Sequence, residues 1–202
     1  DPEAEFNGSQ ALPLSGIKVV DYSHYLAGPH MSRCLAAMGA DVIKVERPNA
    51  GDPGRASPTM IGGQSGYFMQ QNMGKRGLCV NLKDKRGLDL MHKLTDSADV
   101  FVENYRPGAL NKLGLGYAEL SRRNPKLVYC SVSAYGHTGP DASRAGFGLI
   151  AEARSGAMSK TWSSMVACRS PSRAYRPGTL AMVQSRGSTS SISSHRIGVD
   201  TV

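Results

Sequence analysis

From Leu14 onward the chain alternates short apolar runs with longer amphipathic ones. Ile17–Tyr22 (IKVVDY), Asp41–Glu46 (DVIKVE), Leu78–Leu82 (LCVNL), Asp99–Glu103 (DVFVE) and Leu127–Val132 (LVYCSV) are nearly continuous in apolar residues. That pattern predicts strands buried on both faces rather than strands with one wet side. Between them the period lengthens. Pro29 suits the first turn of a helix running to about Met38, with Gly39 as its stop, and a second helix from about Lys85 to Leu94 gathers Leu88, Leu90, Met91 and Leu94 on one side. A further short helix is predicted near Tyr117–Arg123. The first strand, helix and second strand form a βαβ unit of about 30 residues. The interval from Arg47 to Gly74 is rich in Gly and Pro with little periodicity, and is read as a long surface excursion of the kind that carries function. Strands alternating with helices predict an α/β fold, a Rossmann-like open parallel sheet covered on both faces.

The pattern divides the chain into three parts. Residues 1–13 are an N-terminal extension whose acidic start and Asn7-Gly8-Ser9 turn suggest a cloning scar or a partial clone. Residues 14–158 form the Rossmann-like domain. Residues 159–202 lose both periods, and Ser supplies 11 of these 44 residues with Arg scattered among them. With 202 residues, 40% hydrophobic and 20% charged, the chain is neither a disordered polyelectrolyte nor a membrane protein. Its start lacks the order of a secretory signal, so a cytoplasmic location is expected, with the mitochondrial matrix as the second choice.

The net charge of +8 points toward nucleic acid only until it is mapped. Residues 1–158 hold 18 Lys/Arg against 15 Asp/Glu, whereas residues 159–202 hold 6 against 1. Most of the excess is in the tail, whose aromatics are Trp162 and Tyr175, too few for a stacking platform. No nucleic-acid or membrane partner is expected. Cys34, Cys79, Cys130 and Cys168 form no CxxC pair and the histidines no HExxH, so no metal is expected and reduced thiols fit an intracellular setting.

Several generic chemistries lack their motifs. There is no GxGxxG after the first strand, no GxxxxGK[ST] and no GxSxG. His30 and His92 are read as structural or solvated. What remains lies at the strand ends, where open α/β sheets bind ligands: Ser23–Pro29, Arg47, Lys83, Asn104-Tyr105-Arg106 and, close behind, Lys112. Arg forks and Lys point charges gathered there suit a pyrophosphate and a ribose phosphate. An ordinary solvated rim of surface charge is the alternative.

The wording of the chain carries a resemblance. LAGP at Leu26–Pro29, GADVIKVERP at Gly39–Pro48, Gly51-Asp52-Pro53 with Arg55, and GKRGLCVNLKD at Gly74–Asp84 resemble the family III coenzyme A transferases. So do SADVFVENYRPGALNKLGLGY at Ser97–Tyr117, NPKLVYCSVSAYGHTGP at Asn124–Pro140 and AGFGLIAEARSGAMS at Ala145–Ser159. The resemblance, to the formyl-CoA transferase, carnitine-CoA transferase and α-methylacyl-CoA racemase superfamily, covers about residues 14–159. It implies coenzyme A or an acyl-CoA as substrate, a carboxylic acid as partner substrate, and two interlocked copies forming a homodimer. It also implies CoA contacts at Leu26, Ala27, Arg47, Val80, Asn81, Leu82, Lys83, Asn104, Tyr105, Arg106, Lys112 and Ala145, Gly146, Phe147 and Gly148.

The family reaction uses an aspartate that attacks the thioester and holds the acyl group as a mixed anhydride. The corresponding stretch here reads Pro177-Gly178-Thr179-Leu180-Ala181-Met182, and no Asp occurs between Asp141 and Asp200. No catalytic residue is assigned. Asp200 is in an unmatched context. The racemase branch places a His-Asp pair where this chain has Phe147-Gly148, which favours the transferase branch. With the compositional break near Ser159, these features suggest an N-terminal, CoA-binding part of a transferase, truncated and shifted in frame after Met158. A non-catalytic CoA-binding protein is the other reading, and a racemase the third.

Overall fold

The computed structural model describes residues 11–58, 60–155 and 181–184. Residues 1–10 of the expected N-terminal extension (residues 1–13) and the Ser/Arg-rich tail, apart from 181–184, lie outside the described residues. In chain order the elements are β1 (Lys18–Tyr22), α1 (Ala27–Ala37), β2 (Asp41–Glu46), β3 (Met60–Ile61), β4 (Gln64–Ser65), α2 (Gly66–Asn72), β5 (Arg76–Cys79) and α3 (Lys85–Asp96). They continue as β6 (Val100–Glu103), α4 (Tyr117–Arg123), β7 (Val128–Val132), α5 (Gly148–Ser155) and β8 (Ala181–Gln184).

The main sheet has the order β5-β2-β1-β6-β7-β8. Its first five strands are parallel and β8 pairs antiparallel with β7. Strand order runs outward from β1 in one direction and from β6 in the other, so the crevice between their carboxyl ends is the topological switch point. Successive residues of each strand feed opposite faces. Val20, Val45, Phe101 and Tyr129 pack with Met91 and Leu120 on the α3 and α4 side, while Val19, Val42, Val102 and Cys130 pack with Met31 and Leu35 of α1 on the other. Two buried faces explain why the strands read as continuous apolar runs.

Two local expectations change. The excursion from Arg47 to Gly74 contains a 3-10 turn at Pro53–Ala56, the β3–β4 hairpin and helix α2. Ser65 Oγ caps α2 by accepting from the Phe68 N–H at 3.3 Å. The helix escapes a periodicity reading because it is only seven residues long and buries Gln71 rather than an apolar stripe. Strand β5 lies nearer the N-terminus than predicted. Val80 still donates to the Glu46 carbonyl at 2.9 Å, but Val80 and Leu82 then drop into the core as the chain turns toward α3. That turn crosses α3 so closely that a Cβ on Gly87 would lie 2.1 Å from the Asn81 carbonyl oxygen.

Among the described residues no helix is long and apolar enough to cross a membrane. Phe101 is fully buried and packs against Tyr129 with ring centroids 5.2 Å apart. Phe101→Ala is expected to cost about 3–5 kcal/mol in a urea titration, and a loss below about 1 kcal/mol would contradict this account of the core.

Candidate functional site

The strand ends are held by charges that water does not reach. Lys44 projects from β2 with 2% of its side chain exposed, and its ammonium donates to the Ser23 carbonyl at 2.6 Å and to Asp52 Oδ2 at 2.9 Å. Asp21, fully buried, lies 4.0 Å from the same ammonium and 2.9 Å from Lys75 Nζ. It also accepts from the Ser23 N–H at 3.0 Å, from the Ser23 hydroxyl, and from the Ser32 hydroxyl at 2.7 Å. Lys75 donates onward to the Pro29 carbonyl and to Asn72 Oδ1, both at 2.8 Å. Asp52 Oδ1 accepts from the Tyr25 N–H at 3.0 Å and the Gly54 N–H at 2.8 Å, while its own N–H donates to Glu46 Oε1 at 2.7 Å. Glu46 in turn receives a two-point contact from Arg55 at 2.8 and 2.6 Å.

Burial alone would raise the pKa of Asp21, but the ammonium groups of Lys44 and Lys75 hold it below its usual value. Asp52 and Glu46 follow the same pattern, against burial, through Lys44 and the backbone N–H groups for Asp52 and through Arg55 for Glu46. Burial lowers Lys75, with Asp21 opposing.

This lattice shapes the segment between β1 and α1. Tyr25 has φ of 63°, a left-handed conformation held by the bond from its N–H to Asp52. The Asn104 side-chain amide clamps His24 from both sides, accepting from its N–H at 2.8 Å and donating to its carbonyl at 2.7 Å. A Cβ on Gly28 would lie 2.4 Å from Ser23 Cβ, so α1 approaches this loop only because residue 28 is glycine. The His24 ring lies 4.7 Å from Tyr105, which stacks on Tyr22 at 5.1 Å. Burial lowers the His24 pKa and so favours the neutral imidazole, despite nearby Asp52. A hollow of about 120 Å³ opens here, lined by His24, Arg47, Asp52 and Tyr105 among others.

The expected contact residues distribute unevenly around this hollow. Arg47 and Tyr105 line it, Arg47 Nε donating to the Gly51 carbonyl at 3.2 Å. Leu26 and Ala27 are exposed where α1 begins. Asn104 spends its amide on His24. Val80 and Leu82 are buried in the core, so they have only backbone to offer a ligand. Asn81, Lys83, Arg106 and Lys112 are exposed, with Asn81 Oδ1 accepting from the Lys83 N–H at 3.1 Å. Of residues 145–148, Phe147 is 65% exposed and meets Tyr25 edge-on at 5.9 Å, while Ala145 and Gly146 lie in the loop before it and Gly148 begins α5. Sequence reasoning covered His24 within Ser23–Pro29 but missed Lys44 and Glu46 as organising residues. The signal for one partner was present in the Gly51-Asp52-Pro53 turn, since Asp before Pro is a favoured cap, but a lysine inside a strand reads as an outward-facing residue.

A mostly parallel sheet with helices on both faces, opening a hollow at its carboxyl ends, defines an α/β fold of the doubly wound type. The chain belongs to CoA-transferase family III, whose model matches residues 14–179. It is 43% identical over 158 residues to succinyl-CoA:glutarate CoA-transferase of Homo sapiens, covering 78% of this chain and 36% of that protein. It is 40% identical over 149 residues to acetyl-CoA:oxalate CoA-transferase of Acetobacter aceti, covering 74% of this chain and 38% of that one. A CAIB/BAIF family crystal structure from Brucella suis superposes with a TM-score of 0.69 at 41% identity, covering 73% of this chain and 40% of that one. The chain thus spans between a third and two-fifths of the length of these curated relatives.

Lys44→Met would leave Asp21 and Asp52 buried with less compensation, and is expected to cost about 3–5 kcal/mol in chemical denaturation. Because Asp21, Asp52 and Glu46 have folded pKa values below their unfolded ones, their contribution is fully present above about pH 4.5. It is lost as pH falls through the folded values. A denaturation series from pH 7 downward should show that loss, and stability unchanged at pH 3 would contradict it.

Proposed function

We propose that the hollow beyond β1 and β2 receives the phosphate-bearing end of a coenzyme A thioester. In this reading the chain is the CoA-binding part of a transferase that moves CoA between an acyl-CoA and a carboxylic acid. The observation that carries it is Arg47 and Tyr105 together lining a hollow at the strand ends, with exposed Lys83 on the turn that follows β5. A guanidinium and an ammonium offer pyrophosphate and ribose phosphate their charge complement. The remaining expected contacts, Leu26, Ala27, Asn81, Arg106, Lys112 and Ala145–Gly148, belong to this reading through the family resemblance alone. The relatives' names supply the substrate class, succinyl-CoA or acetyl-CoA with a dicarboxylate such as glutarate or oxalate.

In the reaction proposed for the whole protein, a carboxylate attacks the thioester carbon, the C–S bond breaks, and CoA leaves as thiolate. The acyl group stays as a mixed anhydride until an acceptor carboxylate displaces the donor acid to form its own anhydride. The CoA thiolate then attacks the acceptor's acyl carbon, making the new thioester and freeing the protein's carboxylate. The Tyr25 and Gly54 N–H groups already point at Asp52, so this network positions the cleft and takes no part in the bond changes. Met182 stands where the aspartate is expected, and this specific observation favours a second reading, CoA binding without turnover. A homodimer belongs to the first reading and is checked by sedimentation across a concentration series.

Calorimetric titration with CoA is expected to show saturable binding, weakened about tenfold or more by Arg47→Ala and by Lys83→Ala. Absence of saturable binding by the unaltered chain would contradict the proposal. Exchange of labelled CoA into succinyl-CoA separates the two readings, since only the transferase performs it.

A further inference from the structure

On the other side of the Asn104–Arg106 turn, a cavity of about 300 Å³ opens between the carboxyl ends of β6 and β7. That volume suits a small molecule rather than a whole coenzyme. Its floor is built from register partners on adjacent strands, Glu103 and Ser131, which are 4% and 5% exposed. The Ser131 hydroxyl is hydrogen-bonded to Glu103 Oε1 and lies 2.7 Å from His137 Nε2. The other Glu103 oxygen accepts from the Tyr105 N–H at 2.8 Å. None of these three side chains enters the CoA reading.

A hydroxyl between a carboxyl and an imidazole has one proton to give. Either a protonated Glu103 donates to Ser131 Oγ and Ser131 donates to a neutral His137 Nε2, or His137 Nε2–H donates to Ser131 and Ser131 donates to the Glu103 carboxylate. The two arrangements interconvert when the Glu103 proton moves to Ser131 Oγ as the Ser131 proton moves to Nε2, so one proton is shared. Desolvation raises the Glu103 pKa, with the Ser131 and Tyr105 hydrogen bonds opposing, which favours the protonated carboxyl. The neighbouring Tyr129 phenol and Cys130 thiol are both pushed up by burial and stay neutral, and the phenol donates to the Leu115 carbonyl at 3.1 Å. Tyr117 also lines the cavity, and Arg106 brings a permanent charge to it.

We propose that this cavity is a second binding site, for a small oxyanion such as a carboxylate, whose charge is set by one proton that Glu103 and His137 share through Ser131. With that proton present the cavity carries the Arg106 charge, whichever end holds it. Once the proton leaves, the Glu103 carboxylate cancels Arg106 and the anion loses its complement. Linkage then requires anion binding and protonation to strengthen each other. The site goes beyond the CoA reading and stands whether or not CoA binds.

The test is calorimetric titration of the full chain with glutarate and, separately, with sulfate, at about pH 6.5 and about pH 8.5, where neither probe changes charge appreciably. At least one probe is expected to bind about tenfold tighter at the lower pH, taking up a proton at the higher. Glutarate alone binding marks a carboxylate site, and both binding marks a general oxyanion site. Glu103→Gln removes the cancelling charge and is expected to restore tight binding at pH 8.5. His137→Gln, at a half-buried loop position, keeps the fold independent of the buried change and should move the pH midpoint downward. No binding of either anion, or binding of equal strength at both pH values, would overturn the proposal. CoA titrated into the same sample reports on the other cleft, so either reading can fail without the other.

Discussion

Two carboxylates and two ammonium groups buried together at the ends of β1 and β2 are the constraint on which the site depends. Charges removed from water are costly unless every partner is in place, so Asp21, Lys44, Asp52 and Lys75 tolerate one arrangement of the segments that carry them. Those segments are the Ser23–Pro29 loop, the Gly51–Ala56 turn and the end of α2. Their positions fix the left-handed Tyr25, the Asn104 clamp on His24 and the placement of Tyr105. A cleft fixed this way by buried charges is formed without any ligand, and preorganisation of that kind lowers the cost of binding.

Topology supplies the rest. Because β1 and β6 start the sheet's two directions, the turns leaving them diverge and leave a crevice. Pairing of β6 with β7 places Glu103 opposite Ser131, so a second cavity forms on the far side of the same turn. The Asn104–Arg106 turn therefore faces two chemical environments: a hollow toward β2 lined by Arg47, His24 and Tyr105, and a cavity toward β7 lined by Glu103, Ser131 and His137.

The sheet was legible because strands buried on both faces leave uninterrupted apolar runs, as Asp41–Glu46 and Val100–Glu103 do. Helix α2 was not, because a short helix with a polar buried residue leaves no stripe. Arg47 and Tyr105 were found through strand-end placement together with family resemblance, and they do line the hollow. Val80 and Leu82 were indistinguishable in sequence from ligand contacts, since only the turn into α3 reveals that they face the core. Lys44 and Glu103 were the hardest: a charged residue in a strand reads as solvent-facing unless its partners, here far away in sequence, are known.

The central claim is that a CoA ester rests in the hollow framed by this buried lattice. Amide hydrogen exchange with and without CoA tests it most directly. The account predicts slowed exchange confined to residues 23–27, 47–52 and 104–106, whose backbone frames the hollow. Protection elsewhere, with these three segments unchanged on saturation with CoA, would contradict it.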